Sequence, residues 1–349
     1  MVRCVADWYQ YTGCVHIHTT ESDGTKTLEE VVALGREVGL DFMMFSDHMN
    51  LNNRDAGKEG FYGSTLVVVG YEHNDRNDHH HYLLFGSPRV YPSDMTAAEY
   101  VAAGARDGAL GIPAHPDEVR NALKTHPPYP WEDWSAEGFD GLELWNQMSE
   151  WTEKLTRWNH LTMAFSPRKS IVAPTDRILA KWDELSMSRQ CVGLAGADAH
   201  AFSIRIWPFS FEIFPYKVHF KSLRCYVLLR EPMSSDLDKA RTQLYDAVRD
   251  CRLFFANERW GSAEKFEFLG ESGSTHVCSG GRLESGAEAR LTVRLPEPAT
   301  LRLIHNGRRV VETEADKLDY RVTADGIYRA EAWKGRRGWI FSNHIRVGR

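Results

Sequence analysis

Six short apolar runs in the first 200 residues each carry histidine, aspartate or glutamate at one end. They are Cys14–His18, Asp41–His48, Thr65–Glu72, His81–Phe85, Gly111–His115 and Val192–His200. Eleven of the 15 histidines lie in this part of the chain. A single such residue is as well explained by a solvated strand end. Solvated histidines, however, would not settle repeatedly at the same end of successive strands. The pattern therefore predicts a multinuclear metal centre at the edge where α/β folds place their chemistry. Mixed imidazole and carboxylate ligands suit Zn, Mn or Fe.

Within the pattern, His16 and His18 are two apart, so an extended strand turns both to one side. Asp23, in Ser22-Asp23-Gly24, is either a ligand or the head of an Asx-turn. His48 closes Phe45-Ser46-Asp47-His48, and Glu72 ends the third run, where a carboxylate can bridge two ions. Of His79-His80-His81, only His81 opens an apolar run, so it is the inward candidate and the other two are expected in solvent. His115 closes Gly111-Ile-Pro-Ala-His115, and Asp198 with His200 forms another pair two apart. Glu143 closes a strand at the same face, where its plain reading is a helix-capping or surface carboxylate.

The architecture follows from period and caps. Thr27-Leu-Glu-Glu30 and Thr96-Ala-Ala-Glu99 are capping boxes that open helices. Further helices are expected over Ser149–Leu161, Pro174–Leu185 and Ser235–Asp250. Strands are expected over Ala109–Ala114, Gly141–Leu144, Phe220–Leu229 and Leu253–Ala256. Repeated βα units predict a mostly parallel sheet, an α/β barrel or open sheet, over residues 1–262. From about Glu264 the helical period vanishes. Short runs (Ala289–Leu295, Leu301–His305, Tyr320–Val322, Tyr328–Trp333, Trp339–Val347) are separated by Asn306-Gly307 and Asp325-Gly326, which predicts a small all-β sandwich domain over 263–349. Residues 117–190 hold Trp131, Trp134, Trp145, Trp151, Trp158 and Trp182. They are either an insertion over the mouth of the sheet or outer helices packed through aromatic rings.

The 42 basic residues against 48 acidic ones give a net charge of −6. This argues against nucleic acid as a bulk partner. No window reaches 18 consecutive apolar residues, so no membrane span is expected. The start of the chain lacks an apolar signal core, and the six cysteines are far apart with no C-x-x-C. A cytoplasmic protein with reduced thiols is the expectation.

Together, His16-x-His18 with Ser22-Asp23-Gly24, Asp47-His48, Gly70-Tyr-Glu72, His81, Ala114-His115-Pro116 and Asp198-x-His200 closely resemble the polymerase-and-histidinol-phosphatase (PHP) superfamily of metallohydrolases, in that family's order. Asp47-His48-Met-Asn50, Gly141-Leu-Glu143-Leu-Trp-Asn146 and Trp339-Ile-Phe-Ser-Asn343 look most like its carbaryl-hydrolase-like branch. The resemblance implies a distorted (β/α)7 barrel with two or three divalent ions. His16, His18, Glu72 and Asp198 would hold the first ion. Glu72, His81 and His115 would hold the second, and Asp23, His48 and His200 the third. Asp23 stands where many members have histidine. Glu143 would orient a histidine together with Asn146.

The expected activity is hydrolysis of a small-molecule phosphate ester, with a nucleotide left open. Glu72, His200 and Arg205 are the catalytic candidates. Lys26, Arg54, Arg120, Arg168, Lys169 and Arg205 are candidate anion binders, and Arg205 is the best placed because it follows the Asp198-x-His200 strand end. A carboxylic ester, carbamate or amide is the alternative electrophile, with the Trp-rich segment lining an apolar pocket. A non-catalytic metal-binding module is the third class.

Overall fold

A computed structural model describes residues 2–3, 8–77, 79–119, 127–206, 209–285 and 289–348, without the side chains of 2–3, 203–206 and 209–211. Cys4 and Arg120 lie outside the described residues, as does the Arg205 side chain. The chain divides into two compact units. One comprises Thr12–Ile171 and Ala195–Arg224; the other comprises Met1–Tyr11, Val172–Leu194 and Cys225–Arg349.

The first unit is α/β. Strand Tyr9–Ile17 runs parallel to Phe42–His48 through Gly13↔Phe42, and Phe42–His48 runs parallel to Thr65–His73. Tyr82–Phe85 then returns antiparallel, and Leu110–Pro113 is antiparallel to it in turn. Leu110–Pro113 thus regains the direction of the first three strands, and one reversed strand interrupts the parallel order. Gly70 permits the tight Tyr71↔Leu84 hairpin, because a Cβ there would stand 2.1 Å from the Leu84 carbonyl oxygen. Both capping boxes form in full, Thr27 with Glu30 and Thr96 with Glu99, at the starts of Leu28–Glu37 and Ala97–Arg106. Cys14, Ile17, Val31, Val32, Met43, Phe45, Val67 and Val69 share one buried core.

The second unit is β-rich, as expected of the C-terminal residues. Its ladder joins Glu267–Ser272, Arg290–His305, Gly326–Lys334 and Arg337–Ser342, all antiparallel. Trp339, Ile340, Leu301, Leu303, Phe254 and Phe266 belong to its core. Helices Asp176–Ser188 and Leu237–Arg249 belong to this unit. The described residues therefore give mixed α/β with a β-rich C-terminal part; the described pairings do not show closure into a seven-stranded barrel.

Several expected elements are redrawn. Ser149–Leu161 is two helices, Gln147–Glu153 and His160–Phe165, because Asn146 caps the first through the Ser149 N–H and the Thr156–Asn159 turn breaks the chain. Phe220–Leu229 is a strand only from Leu223; Pro215 caps a helix over Tyr216–Phe220. Ala289–Leu295 and Leu301–His305 merge into one strand, Arg290–His305, irregular between Arg294 and Ala299. Its partner Arg308–Arg321 is largely exposed and charged, with Val311, Leu318 and Tyr320 packed on the core, and the expected run Tyr320–Val322 meets only its last two residues. Trp131, Trp145, Trp151 and Trp182 are buried, whereas Trp158 is 83% exposed. Cys14, Cys191, Cys225, Cys251 and Cys278 are buried, and no disulfide joins any two of them. Among the described residues no helix is long and apolar enough to cross a membrane.

The β-rich unit contains a buried ion cluster. Arg329 donates from Nε and Nη2 to the two oxygens of Asp183, at 2.8 and 2.9 Å, and also pairs with Glu331. His344 Nε2 lies 2.7 Å from Asp183 Oδ1. Burial raises the Asp183 pKa, but these hydrogen bonds outweigh it and bring the carboxyl down to about 2. Burial lowers the His344 pKa despite the carboxylate, so His344 serves as a neutral donor. Asp183→Asn leaves Arg329 under-compensated and should lower stability by about 3–5 kcal/mol at neutral pH. A depressed carboxyl stabilises above its unfolded pKa and loses that contribution as pH falls. The gap between wild type and variant, measured by urea unfolding, should therefore be full above about pH 4 and shrink towards pH 2. An unchanged gap across that window would refute the assignment.

Candidate metal centre

All nine proposed ligands fall in the α/β unit, and the structure brings them together. Glu72 is their centre. Its Oε2 lies 2.9 Å from His16 Nε2, 3.2 Å from His18 Nε2 and 3.5 Å from His48 Nδ1. Its Oε1 lies 2.7 Å from His81 Nδ1 and 3.3 Å from His115 Nε2. Asp198 Oδ1 stands 3.4 Å from the Nε2 atoms of both His16 and His18, and from His200 Nδ1. Asp23 Oδ1 faces His200 Nε2 at 3.1 Å, and His18 and His48 at 3.7 Å. Four overlapping groups could each hold an ion: His18/Asp23/His48/His200, His16/His18/Glu72, His16/His115/Asp198 and His48/Glu72/His81.

The backbone is distorted where it presents these side chains. His16 has φ +66° and is the extra residue of a bulge between Val15 and Ile17, so His16 and His18 converge through an irregularity and not through plain strand alternation. His115 (φ +30°) and Asp198 (φ +48°) are also left-handed. Each such residue costs about 1–3 kcal/mol, and such strain gathers at functional sites. The loop carrying Asp23 is pinned by buried Asp47, which accepts from Thr19 N–H (2.7 Å), Thr19 Oγ1 (2.8 Å), Ser22 Oγ (2.8 Å) and Asn53 Nδ2 (3.1 Å).

Groups behind the ligands hold their orientation. Glu143 is buried, with Oε1 2.8 Å from His16 Nδ1 and Oε2 accepting from the His115 N–H at 2.6 Å. Asn146 Nδ2 donates to Glu143 Oε2 and Asp198 Oδ2. Gly196 makes room for this, since a Cβ there would stand 1.5 Å from Glu143 Oε1. Asn74 spans His48 Nδ1 (3.0 Å) and His81 Nε2 (3.1 Å). Asn74 and Glu118, which lies 3.7 Å from His115 Nδ1, were missed from the sequence, where neither sits in a motif or at the end of an apolar run. His80 leans on Trp131, and its Nδ1 lies 3.4 Å from Asp75 Oδ2. His79 is exposed.

Burial pushes the Glu72 and Asp198 carboxyls up, but the surrounding imidazoles outweigh it and hold both well below the usual range. Asp23 is likewise held down against partial burial, chiefly by His200. For His16, burial is outweighed by Glu143, Asp198 and Glu72, which raise it well above its ordinary value; for His18, Asp198 and Glu72 raise it to about 10. Burial pushes His48 down to about 4. The set fits divalent cations on two counts. Its donors are imidazoles and ionised carboxylates, and both ring nitrogens of His18 with Nδ1 of His115 are buried and, among the described residues, lack a hydrogen bond.

The nominated cations whose side chains are described have partners elsewhere or face solvent. Lys26 pairs with Glu212 at 2.8 Å, Arg54 holds the Ser87 carbonyl and Asp55, Arg168 donates to the Lys221 carbonyl, and Lys169 is exposed. Arg205 lies on strand Phe202–Ile206, just after His200, with its side chain outside the described residues.

No protein-family model and no curated protein matches the chain. Among solved structures it is similar to a two-domain protein from Bacteroides vulgatus ATCC 8482 containing a predicted PHP-like metal-dependent phosphoesterase, at 12% identity and TM-score 0.48, covering 99% of this chain and 97% of that one. It is similar to PsfC from Pseudomonas syringae PB-5123 at 11% identity and TM-score 0.41, covering 69% and 98%. A third likeness, to a protein from Bifidobacterium adolescentis ATCC 15703 described as a metal-dependent phosphoesterase, has 16% identity and TM-score 0.34, covering 54% and 87%.

Proposed function

We propose that the chain is a metal-dependent phosphoesterase of PHP type, its α/β unit a distorted (β/α)7 barrel and its substrate a small phosphate ester. The observation that carries this is Glu72, whose two oxygens each face a different set of imidazoles. That is the arrangement a carboxylate needs to bridge two cations. His16, His18, Glu72 and Asp198 are assigned to one ion, and Glu72, His81 and His115 to a second. Asp23, His48 and His200 are assigned to a third, with His18 close enough to join them. Zn, Mn or Fe bound there would supply Lewis acidity and a nucleophile at neutral pH.

The chain's own groups divide the remaining work. His16, Glu72 and Asp198 are buried, while Asp23 and His48 are partly open, so the substrate meets the Asp23/His48/His200 side. His200 Nε2 faces Asp23 Oδ1 at 3.1 Å and is assigned to the leaving oxygen where the third ion is absent; with that ion bound the same nitrogen is its ligand. Arg205 is assigned to the phosphoryl oxygens. The ester or carbamate alternative needs an apolar pocket lined by tryptophan; Trp131, Trp145 and Trp151 are buried and Trp158 is exposed.

The reaction is tested by a panel of phosphate esters, aryl esters and carbamates with each metal. Phosphate esters should turn over fastest, with inorganic phosphate competitive. Arg205→Ala should lower kcat/KM on them by about 10²-fold with metal content unchanged. Faster turnover of carbamates with no inhibition by phosphate would overturn the phosphoesterase assignment.

The bridging assignment is tested by Glu72→Gln, which leaves two cations with less charge between them. The variant should lose metal by elemental analysis and lose turnover; full metal content would rule out bridging.

Gly196→Ala should displace Glu143 and release His16. Metal affinity is expected to fall about 10–100-fold, the usual cost of losing a partner behind a ligand, while circular dichroism stays native. Wild-type affinity in a folded variant would show that Glu143 does not orient His16.

A further inference from the structure

We propose that Glu118 is a positioning residue for the His81/His115 half of the centre, which rests on the assignment of divalent ions to this cluster. Glu118 is 3% exposed. Its Oε1 accepts from Ser149 Oγ at 2.7 Å, and its Oε2 accepts from the Tyr129 N–H at 2.9 Å. The same Oε2 stands 3.7 Å from His115 Nδ1, a buried nitrogen with no hydrogen bond among the described residues. His115 presents its other nitrogen, Nε2, to Glu72 Oε1. Tyr129, held by Glu118 through its backbone, lays its ring on His81 with centroids 4.7 Å apart and planes within 12°. One buried carboxylate therefore reaches both imidazoles that face Glu72 Oε1, one directly and one through Tyr129.

The chemistry favours closure of the 3.7 Å gap when a cation is held. A cation at Nε2 withdraws electron density from the ring and makes Nδ1–H a stronger donor. A carboxylate opposite it then fixes the tautomer and ring plane and raises the basicity of Nε2. Glu143 already stands to His16 in this way, at 2.8 Å. Glu118 lies three residues beyond His115 and its N–H donates to the His115 carbonyl, so the turn itself places the carboxylate behind the ring.

The test is calorimetric titration of metal-free full-length protein with Mn²⁺ and, separately, Zn²⁺, for wild type, Glu118→Gln and Glu118→Ala, alongside the metal-free Tm. Glu118→Gln keeps size and burial and removes the charge. It should leave the metal-free Tm near wild type and weaken one class of sites by about 10–100-fold, with the remaining sites unchanged. Wild-type affinity at every site in Glu118→Gln would overturn the proposal, as would a lower Tm with unchanged affinity, which marks a purely structural role. If Glu118→Ala fails to fold, the glutamine variant decides. A wild-type protein that takes up neither ion would overturn the metal assignment itself and this inference with it.

Discussion

The structure depends on one buried carboxylate. Glu72 is 1% exposed and is approached by five imidazoles, from His16, His18, His48, His81 and His115. Burying a charge costs several kcal/mol even after relaxation, so it persists only where opposite charge or donors surround it. The surrounding groups come from four separate strands or their ends, which must therefore terminate at one level. The hairpin return of Tyr82–Phe85 serves that need: reversing one strand brings His81 back to the edge at which Glu72 ends.

The cost of convergence is visible in the backbone. His16, His115 and Asp198 adopt left-handed φ, a region that residues other than glycine seldom enter. Such conformations survive where neighbours over-determine them. Glu143 does so for two of them, binding the His16 ring and the His115 N–H, and it reaches His16 only because position 196 lacks a side chain.

What the sequence discloses follows the range of each interaction. The capping boxes at Thr27 and Thr96 are local, and both form as expected. The candidate ligands are legible because histidine at successive strand ends is costly to explain otherwise. The way His16 and His18 meet is not legible: alternation predicts the same face, while a bulge supplies it. Asn74 and Glu118 acquire meaning only from partners brought near by folding, since Asn74 links His48 to His81 and Glu118 links Ser149, Tyr129 and His115. Strand Arg308–Arg321 is legible only at its end, where Tyr320 falls in an expected run, because the rest is mostly charged and exposed.

Charge balance constrains the substrate proposed for the site. Glu72, Asp198 and Asp23 point into the cluster, and Glu143 and Glu118 stand directly behind it. Two dications bring four positive charges against these five carboxylates, and neutral imidazoles add none. Such a centre is negative by one and repels a phosphate dianion at short range, where screening is weak. Three dications reverse the sign, as does a guanidinium placed beside two. A phosphoesterase built on these residues therefore needs either the Asp23/His48/His200 group filled or Arg205 at the mouth. A neutral carbonyl substrate imposes neither requirement, so the ion count at full activity, taken with the Arg205→Ala effect, separates the two electrophiles on electrostatic grounds alone.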